Sequence, residues 1–390
     1  MTIVNLSTYP PKQCGIASFS KDLRDNLELS GWKVRIAAMS DRDTSYHYPA
    51  EVGYQIRVDH PEDYRITASK INYADDINIC IIQHEYGIFG GPDGEYVLSF
   101  TDNLDKPFIL VTHTVLPEPS HNQMRVLKKL AEQAVAVVCM TRRSARLLDH
   151  VFAVPINKIY LIHHGTPVFS NQDRETLKTL YGLKGRQIIT TFGLIGPGKG
   201  LENGIRALAQ LVDKHPDILY LIAGETHPVL KKREGESYRE MLQELTSSLG
   251  MEDHVTFVNQ YLPLDQLGDY LNMSDIYLSP YPNPDQAVSG TLAYALGCGL
   301  AIVATPYQYA LEMLQTGRRG LIALSPAPLH LAQSLDQVLS RPRLQAILEQ
   351  RAYKLGQKMQ WPFVGQQYGL LAESLLKKPL RGNARERILR

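Results

Sequence analysis

The chain has 390 residues, 44% apolar and 21% charged, with 41 Lys and Arg against 40 Asp and Glu and a net charge of +1. This composition is globular; it excludes a disordered chain and leaves no global field to attract nucleic acid or an anionic membrane. At roughly 150 residues per domain the length suggests two to three domains, and Cys14, Cys80, Cys139 and Cys298 are too scattered for a zinc or dithiol motif.

The first ten residues, MTIVNLSTYP, lack a basic stretch followed by an apolar one, so no signal peptide is read and a cytoplasmic protein is expected. Short Val- and Ile-rich runs then alternate with amphipathic ones. Strands are expected at Thr2–Leu6, Lys33–Met39, Ile77–Gln83, Phe108–His113, Ala134–Met140 and Lys158–His163. Helices are expected at Ile16–Ser30, Pro92–Leu104, Ser120–Gln133 and Thr141–Phe152. The strands are apolar on both faces, as in a parallel sheet covered by helices.

The polar stretch Thr166–Gly185 breaks this rhythm and reads as a linker with one short helix. The rhythm restarts with strands at Gln187–Gly193, Ile218–Gly224, His254–Val258, Asp275–Ser279, Leu300–Thr305 and Gly320–Leu324. Helices follow at Leu201–His215, Ser237–Leu249, Leu264–Asn272, Gly290–Gly297 and Leu329–Leu339. Residues 286–311 carry no charge, but Gly290, Gly297, Gly299 and Pro306 cut the run. It reads as a buried helix and strand, not a membrane span. Near the end, Arg343–Gln357 reads as a helix, Trp361–Pro362 as a break and Phe363–Lys377 as a last helix.

The expected class is therefore α/β, with two doubly wound domains. The first covers residues 1–168, a linker 169–186, the second 187–358, a helical segment 359–378 and a basic tail 379–390. The tail reads as solvated, with weak contact to an anionic membrane surface as the alternative. Such sheets bind ligands beyond the C-terminal ends of their strands, and two of them would face each other across a cleft.

The strongest local motif is Gly193-Leu-Ile-Gly-Pro-Gly198-Lys199-Gly200, at a strand end and before a helix. Glycines let backbone N–H groups approach an anion, and Lys199 adds a full charge. Gly200 stands where a P-loop needs Ser or Thr for magnesium, and Leu201 where a dinucleotide fingerprint needs glycine. The loop thus suits a diphosphate without a dedicated metal. Asp285-Gln286-Ala-Val-Ser289-Gly290-Thr291 offers a carboxylate, an amide, hydroxyls and a helix start, which suits a hydroxyl-rich ligand beside an anion. Weaker signals are the Cys14-Gly15-Ile16 turn, Glu225 and His227 after a strand, and histidines at three strand ends: His84 beside Glu85 and Tyr86, His113, and His163-His164. The lone D-x-D triplet, Asp41-Arg-Asp43, reads as a solvated loop.

Taken together, several segments resemble the retaining glycosyltransferases of family 4, which have the GT-B fold, and within them the mannosyltransferase-like branch. They are Tyr9–Phe19, Gln83–Gly91, His113–Pro117, His164-Gly165, Phe192-Gly193, Gly198–Gly200, Ala223–Pro228 and Ser289–Ala295. The resemblance implies two Rossmann-like domains with a last helix crossing back to the first. It implies transfer of a hexosyl group from a GDP- or UDP-sugar to a hydroxyl of a saccharide, lipid-linked or small-molecule acceptor. Configuration would be retained, without metal or other cofactor. Lys199 would hold the diphosphate and His113 would face the transferred sugar. Gly15, Ile16, Gly198, Glu225, Asp285, Gln286, Ser289, Gly290 and Thr291 would bind the donor, and His84, Glu85 and Tyr86 would lie on the acceptor side. Three departures stand out: Gln286 and Tyr294 occupy positions where most of the family has glutamates, and Leu194 one where many relatives have arginine. The alternative reading is a nucleotide-sugar or carbohydrate-binding protein of the same fold without transferase activity.

Overall fold

The computed structural model describes residues 1–41, 46–170 and 172–377. The chain forms two units, one of Met1–Gly165 with the segment from Trp361 onward and one of Thr166–Gln360.

In the first unit, β1 (Thr2–Ser7), β2 (Lys33–Ser40), β3 (Val52–Arg57), β4 (Ile77–His84), β5 (Phe108–Thr112), β6 (Ala136–Cys139) and β7 (Ile159–Leu161) form one parallel sheet. Its order is β3-β2-β1-β4-β5-β6-β7. The order reverses between β1 and β4, so the loops leaving those two strands diverge and open a site at their C-terminal ends. Every residue of β1 is buried, because helices cover both faces.

Two elements here escape the apolar-run reading. β3 is an edge strand in which half-buried or buried residues alternate with exposed ones, so it carries no continuous Val and Ile run. The helix Pro61–Asn72 follows it. The expected helix Pro92–Leu104 is broken into a single turn at Pro92–Gly94 and a helix at Val97–Thr101, because Asp93 and Gly94 take positive φ of 51° and 76°. Asp41 remains partly exposed, and its carboxylate accepts from Lys12 Nζ at 2.6 Å and from the Tyr46 hydroxyl at 2.7 Å. Arg42 and Asp43 of that triplet, and the tail 379–390, lie outside the described residues.

The last helix belongs to the first unit and runs Trp361–Lys377. Trp361–Pro362 is its first turn, where proline's missing N–H has no intrahelical role. The helix packs on Gly15–Leu29 so closely that a Cβ on Gly365 would lie 2.6 Å from Asn26 Cβ.

In the second unit, β8 (Gln187–Phe192), β9 (Ile218–Ala223), β10 (Val255–Val258), β11 (Ile276–Ser279), β12 (Ala301–Ala304) and β13 (Leu321–Ile322) form a second parallel sheet. Its order is β10-β9-β8-β11-β12-β13. The reversal falls between β8 and β11. Residues 169–186 lie inside this unit and carry the helix Arg174–Leu180. The buried Lys178 there donates to both Asp275 carboxylate oxygens, at 3.1 and 2.9 Å. The charge-free run 286–311 is the helix Gly290–Gly297 followed by β12. No helix among the described residues is long and apolar enough to cross a membrane.

Candidate active site

The second unit's site grows from its sheet reversal. The loop after β8 carries Lys199; the loop after β11 carries Tyr281 and ends at the helix Gly290–Gly297. Gly193 N–H donates to Ala223 O at 2.9 Å and Ile195 N–H to Glu225 O at 2.8 Å, so the glycine-rich loop first continues the β8–β9 ladder. A Cβ on Gly224 would lie 2.0 Å from Gly193 O, which is why two glycines meet there. The chain then makes one turn over Pro197–Lys199. Contrary to the expectation of a row of open amides, Lys199 and Gly200 N–H donate to Gly196 O and Pro197 O. Leu201 N–H donates to the Tyr238 hydroxyl at 3.3 Å, and that hydroxyl donates to Glu202 at 2.6 Å. The loop's main offer to an anion is therefore the Lys199 ammonium.

That ammonium, half-buried, is paired with no carboxylate among the described residues. It donates to the Tyr281 hydroxyl at 2.6 Å and lies 4.7 Å from the centre of the ring. The Tyr281 hydroxyl is 2.7 Å from Thr291 Oγ1, which is 3.2 Å from Ser289 Oγ. Ser289 caps the helix Gly290–Gly297 by accepting from Leu292 N–H at 3.3 Å. A continuous polar line thus joins the lysine to a helix N-terminus. The first amides of a helix have no intrahelical acceptor and carry positive partial charge. Burial would push the Tyr281 phenol up; the charge and hydrogen bond of Lys199 outweigh it and hold the phenol below its ordinary value. Burial pushes the neighbouring Tyr277 and Tyr307 well up. His227 is half-buried, and desolvation, then the Lys199 charge, lowers its imidazole.

The remaining donor-side expectations divide. Thr291 and Ser289 are linked to Lys199 through the Tyr281 hydroxyl, and Gly290 opens the helix between them. Gly198 is exposed in the turn beside it. Glu225, on the loop after β9, is half-buried and its Oε1 is buried without a hydrogen-bond partner. Asp285 is exposed, its N–H bonded to Asn283 Oδ1 at 3.0 Å. Gln286 turns its amide back on its own loop, donating to Val288 O at 2.7 Å. Tyr294 packs its ring on Phe169 and Phe192.

Sequence reading missed two residues here. Tyr281 could have been flagged as an aromatic between two prolines at the end of a strand flanking the reversal. Arg239 is buried on the helix Ser237–Ser248, where it donates to Gly224 O at 2.8 Å and to Glu236 at 3.3 Å. Its signal was a cation on the apolar face it shares with Leu242, Leu245 and Thr246.

In the first unit, the strand-end histidines are buried rather than open. His113 Nε2 donates to Gln83 Oε1 at 2.9 Å, and Gln83 Nε2 to Asn5 Oδ1 at 3.1 Å, a polar line across β5, β4 and β1. Phe19 stands edge-on to His113, His164 and Trp361, with ring centres 4.8, 5.2 and 5.0 Å away. His84 is fully buried with neither ring nitrogen hydrogen-bonded, its ring 4.8 Å from that of Tyr86. Burial pulls His113 down to about 3, helped by His164 and His84, and burial pulls His84 and His164 down to about 4. All three are neutral at pH 7. His163 is half-buried and donates to Met140 O at 3.1 Å.

Glu85 accepts from the Thr114 hydroxyl at 2.6 Å and from Tyr86 N–H at 3.0 Å; burial nonetheless raises its carboxyl. Gly15 and Ile16 begin the helix Gly15–Leu29, whose N-cap is the Cys14 thiol, accepting from Ala17 N–H at 3.3 Å. The structure thus gathers His113 with Gln83 and Asn5, and His84 with Tyr86. Among the described residues no group of three or more His, Cys, Asp or Glu could hold a metal ion.

Two parallel Rossmann-like halves, with Lys199 and a helix N-terminus at a sheet reversal, make this an α/β protein of GT-B type. Residues 173–355 match the family described as Glycosyl transferases group 1, so the second unit is a domain of that kind. Among curated proteins the chain is similar to a GDP-mannose-dependent alpha-(1-6)-phosphatidylinositol monomannoside mannosyltransferase of Mycolicibacterium smegmatis. The two are 27% identical over 180 residues, 45% of this chain and 44% of that one. The matched stretches span about half the length of the curated relatives. Among solved structures, sucrose-phosphate synthase of Thermosynechococcus elongatus superposes with a TM-score of 0.78 at 17% identity, over 96% of this chain and 98% of that one. HepE of Anabaena, solved with UDP-glucose, gives 0.73 at 16% identity, over 96% and 100%. At these identities the structural likeness shows the fold.

Proposed function

We propose that the protein is a hexosyltransferase that moves a sugar, mannose in the first instance, from a GDP- or UDP-sugar to an acceptor hydroxyl with retention of configuration. The observation that carries this reading is Lys199: a half-buried ammonium with no carboxylate partner among the described residues, joined by hydroxyls to the N-terminus of the helix Gly290–Gly297. A diphosphate is the ligand that such a pair of positive poles suits. The mannosyltransferase relative uses GDP-mannose by its name, and HepE was solved with UDP-glucose; these support a nucleotide-sugar donor.

As the bond from sugar to diphosphate breaks, negative charge grows on the phosphate oxygens. Lys199 and the Gly290 and Thr291 amides stabilise it, which lowers the barrier without a metal. The acceptor hydroxyl attacks from the side the diphosphate leaves, and a departing phosphate oxygen takes its proton. Ser289, Gln286 and Glu225 are assigned to the donor. We assign His113 to the transferred sugar, presented as a neutral imidazole oriented by Gln83. His84, Glu85 and Tyr86 are assigned to the acceptor side, the acceptor being a saccharide, a lipid-linked sugar or a small molecule. None of the four cysteines is in a disulfide, and a cytoplasmic setting is part of this proposal.

Calorimetric titration with UDP, GDP, UDP-glucose and GDP-mannose tests the donor. Binding of at least one diphosphate, weakened by Lys199→Ala, is expected, and the anomeric configuration of the product is read by NMR. No binding of any of the four at millimolar concentration overturns the reading. A second reading, a binding protein without transferase activity, is favoured by Gln286, whose amide is spent on Val288 O. It predicts donor binding with no turnover against any acceptor.

A further inference from the structure

Tyr281 is more than a core tyrosine that happens to meet a lysine. Its hydroxyl already has Thr291 Oγ1 at 2.7 Å, so burial of the phenol does not require Lys199. Its ring is only 5% exposed and stacks on Tyr307, with centres 5.1 Å apart and planes 20° from parallel. The Tyr307 hydroxyl is tied to Ser279 Oγ at 2.7 Å, and the Tyr281 carbonyl accepts from Thr305 Oγ1 at 2.6 Å. The tyrosine is thus fixed from both sides of its ring edge and at its backbone. Lysine is the opposite: a flexible stem whose ammonium samples many positions unless something holds it. At this loop the holding atom is the Tyr281 hydroxyl, 82 residues away in sequence.

We infer that Tyr281 is a positioning residue, which holds the Lys199 ammonium in place for a nucleoside diphosphate before that ligand arrives. The inference rests on the proposed role of Lys199 as the diphosphate contact. The tyrosine accepts one of the ammonium's three N–H bonds and leaves two for phosphate oxygens. It also couples the lysine to Thr291 at the helix N-terminus, so both positive poles keep a fixed separation. Because Leu194 follows Gly193, that position supplies no second cation, and the loop depends on where this one ammonium stands.

The test is a double-mutant cycle on UDP and GDP binding, measured by calorimetry for wild type, Tyr281→Phe, Lys199→Ala and the double variant. Phenylalanine keeps the ring under the ammonium and removes the hydroxyl, with its bonds to Lys199 and to Thr291 Oγ1. Tyr281→Phe is expected to weaken binding about tenfold, the scale of a hydrogen bond to a charged group, and to add nothing in the Lys199→Ala background. An equal loss in both backgrounds, or no loss in either, overturns the inference. In ligand-free protein, the Lys199 side-chain ¹³Cε resonance, identified by its absence from Lys199→Ala, should report a rigid stem in wild type. It should report a mobile one in Tyr281→Phe. A mobile stem in wild type overturns the inference even if Tyr281→Phe does not fold. If Lys199→Ala binds both nucleotides like wild type, the diphosphate reading fails; a rigid Lys199 resonance released by Tyr281→Phe would then show the positioning by itself.

Discussion

A Cβ placed on Gly193 would lie 3.2 Å from the Lys199 ammonium nitrogen and 3.1 Å from Thr291 Cγ2. Gly193 also has φ of 114°, a backbone region that L side chains rarely adopt. Gly193→Ala is therefore expected to strain the loop and push the lysine off Tyr281 at once. Binding of UDP and GDP should fall at least tenfold, with destabilisation of about 1–3 kcal/mol. Calorimetry and thermal melting measure both; unchanged binding would mean that the lysine does not act from where it stands.

Lys199→Ala should lower kcat/KM by about 10²–10³, the usual cost of losing one preorganised electrostatic contact in a transition state. The fold should stay intact, because the side chain is half-buried and closes no core. Lys199→Arg should recover only part, since a planar guanidinium does not fit the space between Gly193 and the Tyr281 ring as a compact ammonium does. Transfer within about threefold of wild type in the alanine variant, far less than such a contact is worth, would place the diphosphate elsewhere.

Sugar transfer should continue in excess EDTA. The positive charge facing the diphosphate comes from Lys199 and the helix starting at Gly290, and Gly200 stands where a magnesium-binding loop would need a hydroxyl. Complete loss of activity in EDTA, restored by manganese, would refute metal independence.

The buried histidines make stability pH-dependent. His113, His84 and His164 titrate at about 3, 4 and 4 in the folded chain, below the unfolded value of about 6.5. As pH falls through 6.5 the unfolded state takes protons that the folded state refuses, so stability is full above pH 6.5 and drains away toward pH 4. Glu85, raised by burial, works in the opposite direction and offsets part of the loss at the acid end. The melting temperature should fall steeply over this window, and His113→Gln should flatten the slope. A flat profile from pH 7 to 4.5 would contradict the burial.

Gly165 sits against the Trp361 ring, where an added Cβ would lie 2.2 Å from Trp361 Cδ2. Trp361 carries the last helix and touches Phe19, which in turn holds His113 and His164. Gly165→Ala should therefore overpack this cluster and cost about 1–3 kcal/mol, read as a lower melting temperature and faster proteolysis after Gln360. An unchanged melting temperature would show that the helix can shift freely.

The two α/β halves were legible in the amino-acid order because buried parallel strands must be apolar on both faces. Runs such as Ile77–Gln83 and Ile218–Gly224 announce that requirement locally. β3 was not legible, since an edge strand needs apolar residues on one face only, and Val52–Arg57 offers just that. The glycine-rich loop, Lys199 and the cap at Ser289 could be named because each is a local device: a tight turn, a charge, a helix start. That Lys199 stands on Tyr281, that Gln83 orients His113 and that Arg239 reaches Gly224 could not. Those partners are brought together by strand order, and in a doubly wound sheet the reversal makes neighbours of loops far apart in sequence. Local propensity decides which residues form the strands and turns; long-range parallel pairing decides which side chains meet at their ends.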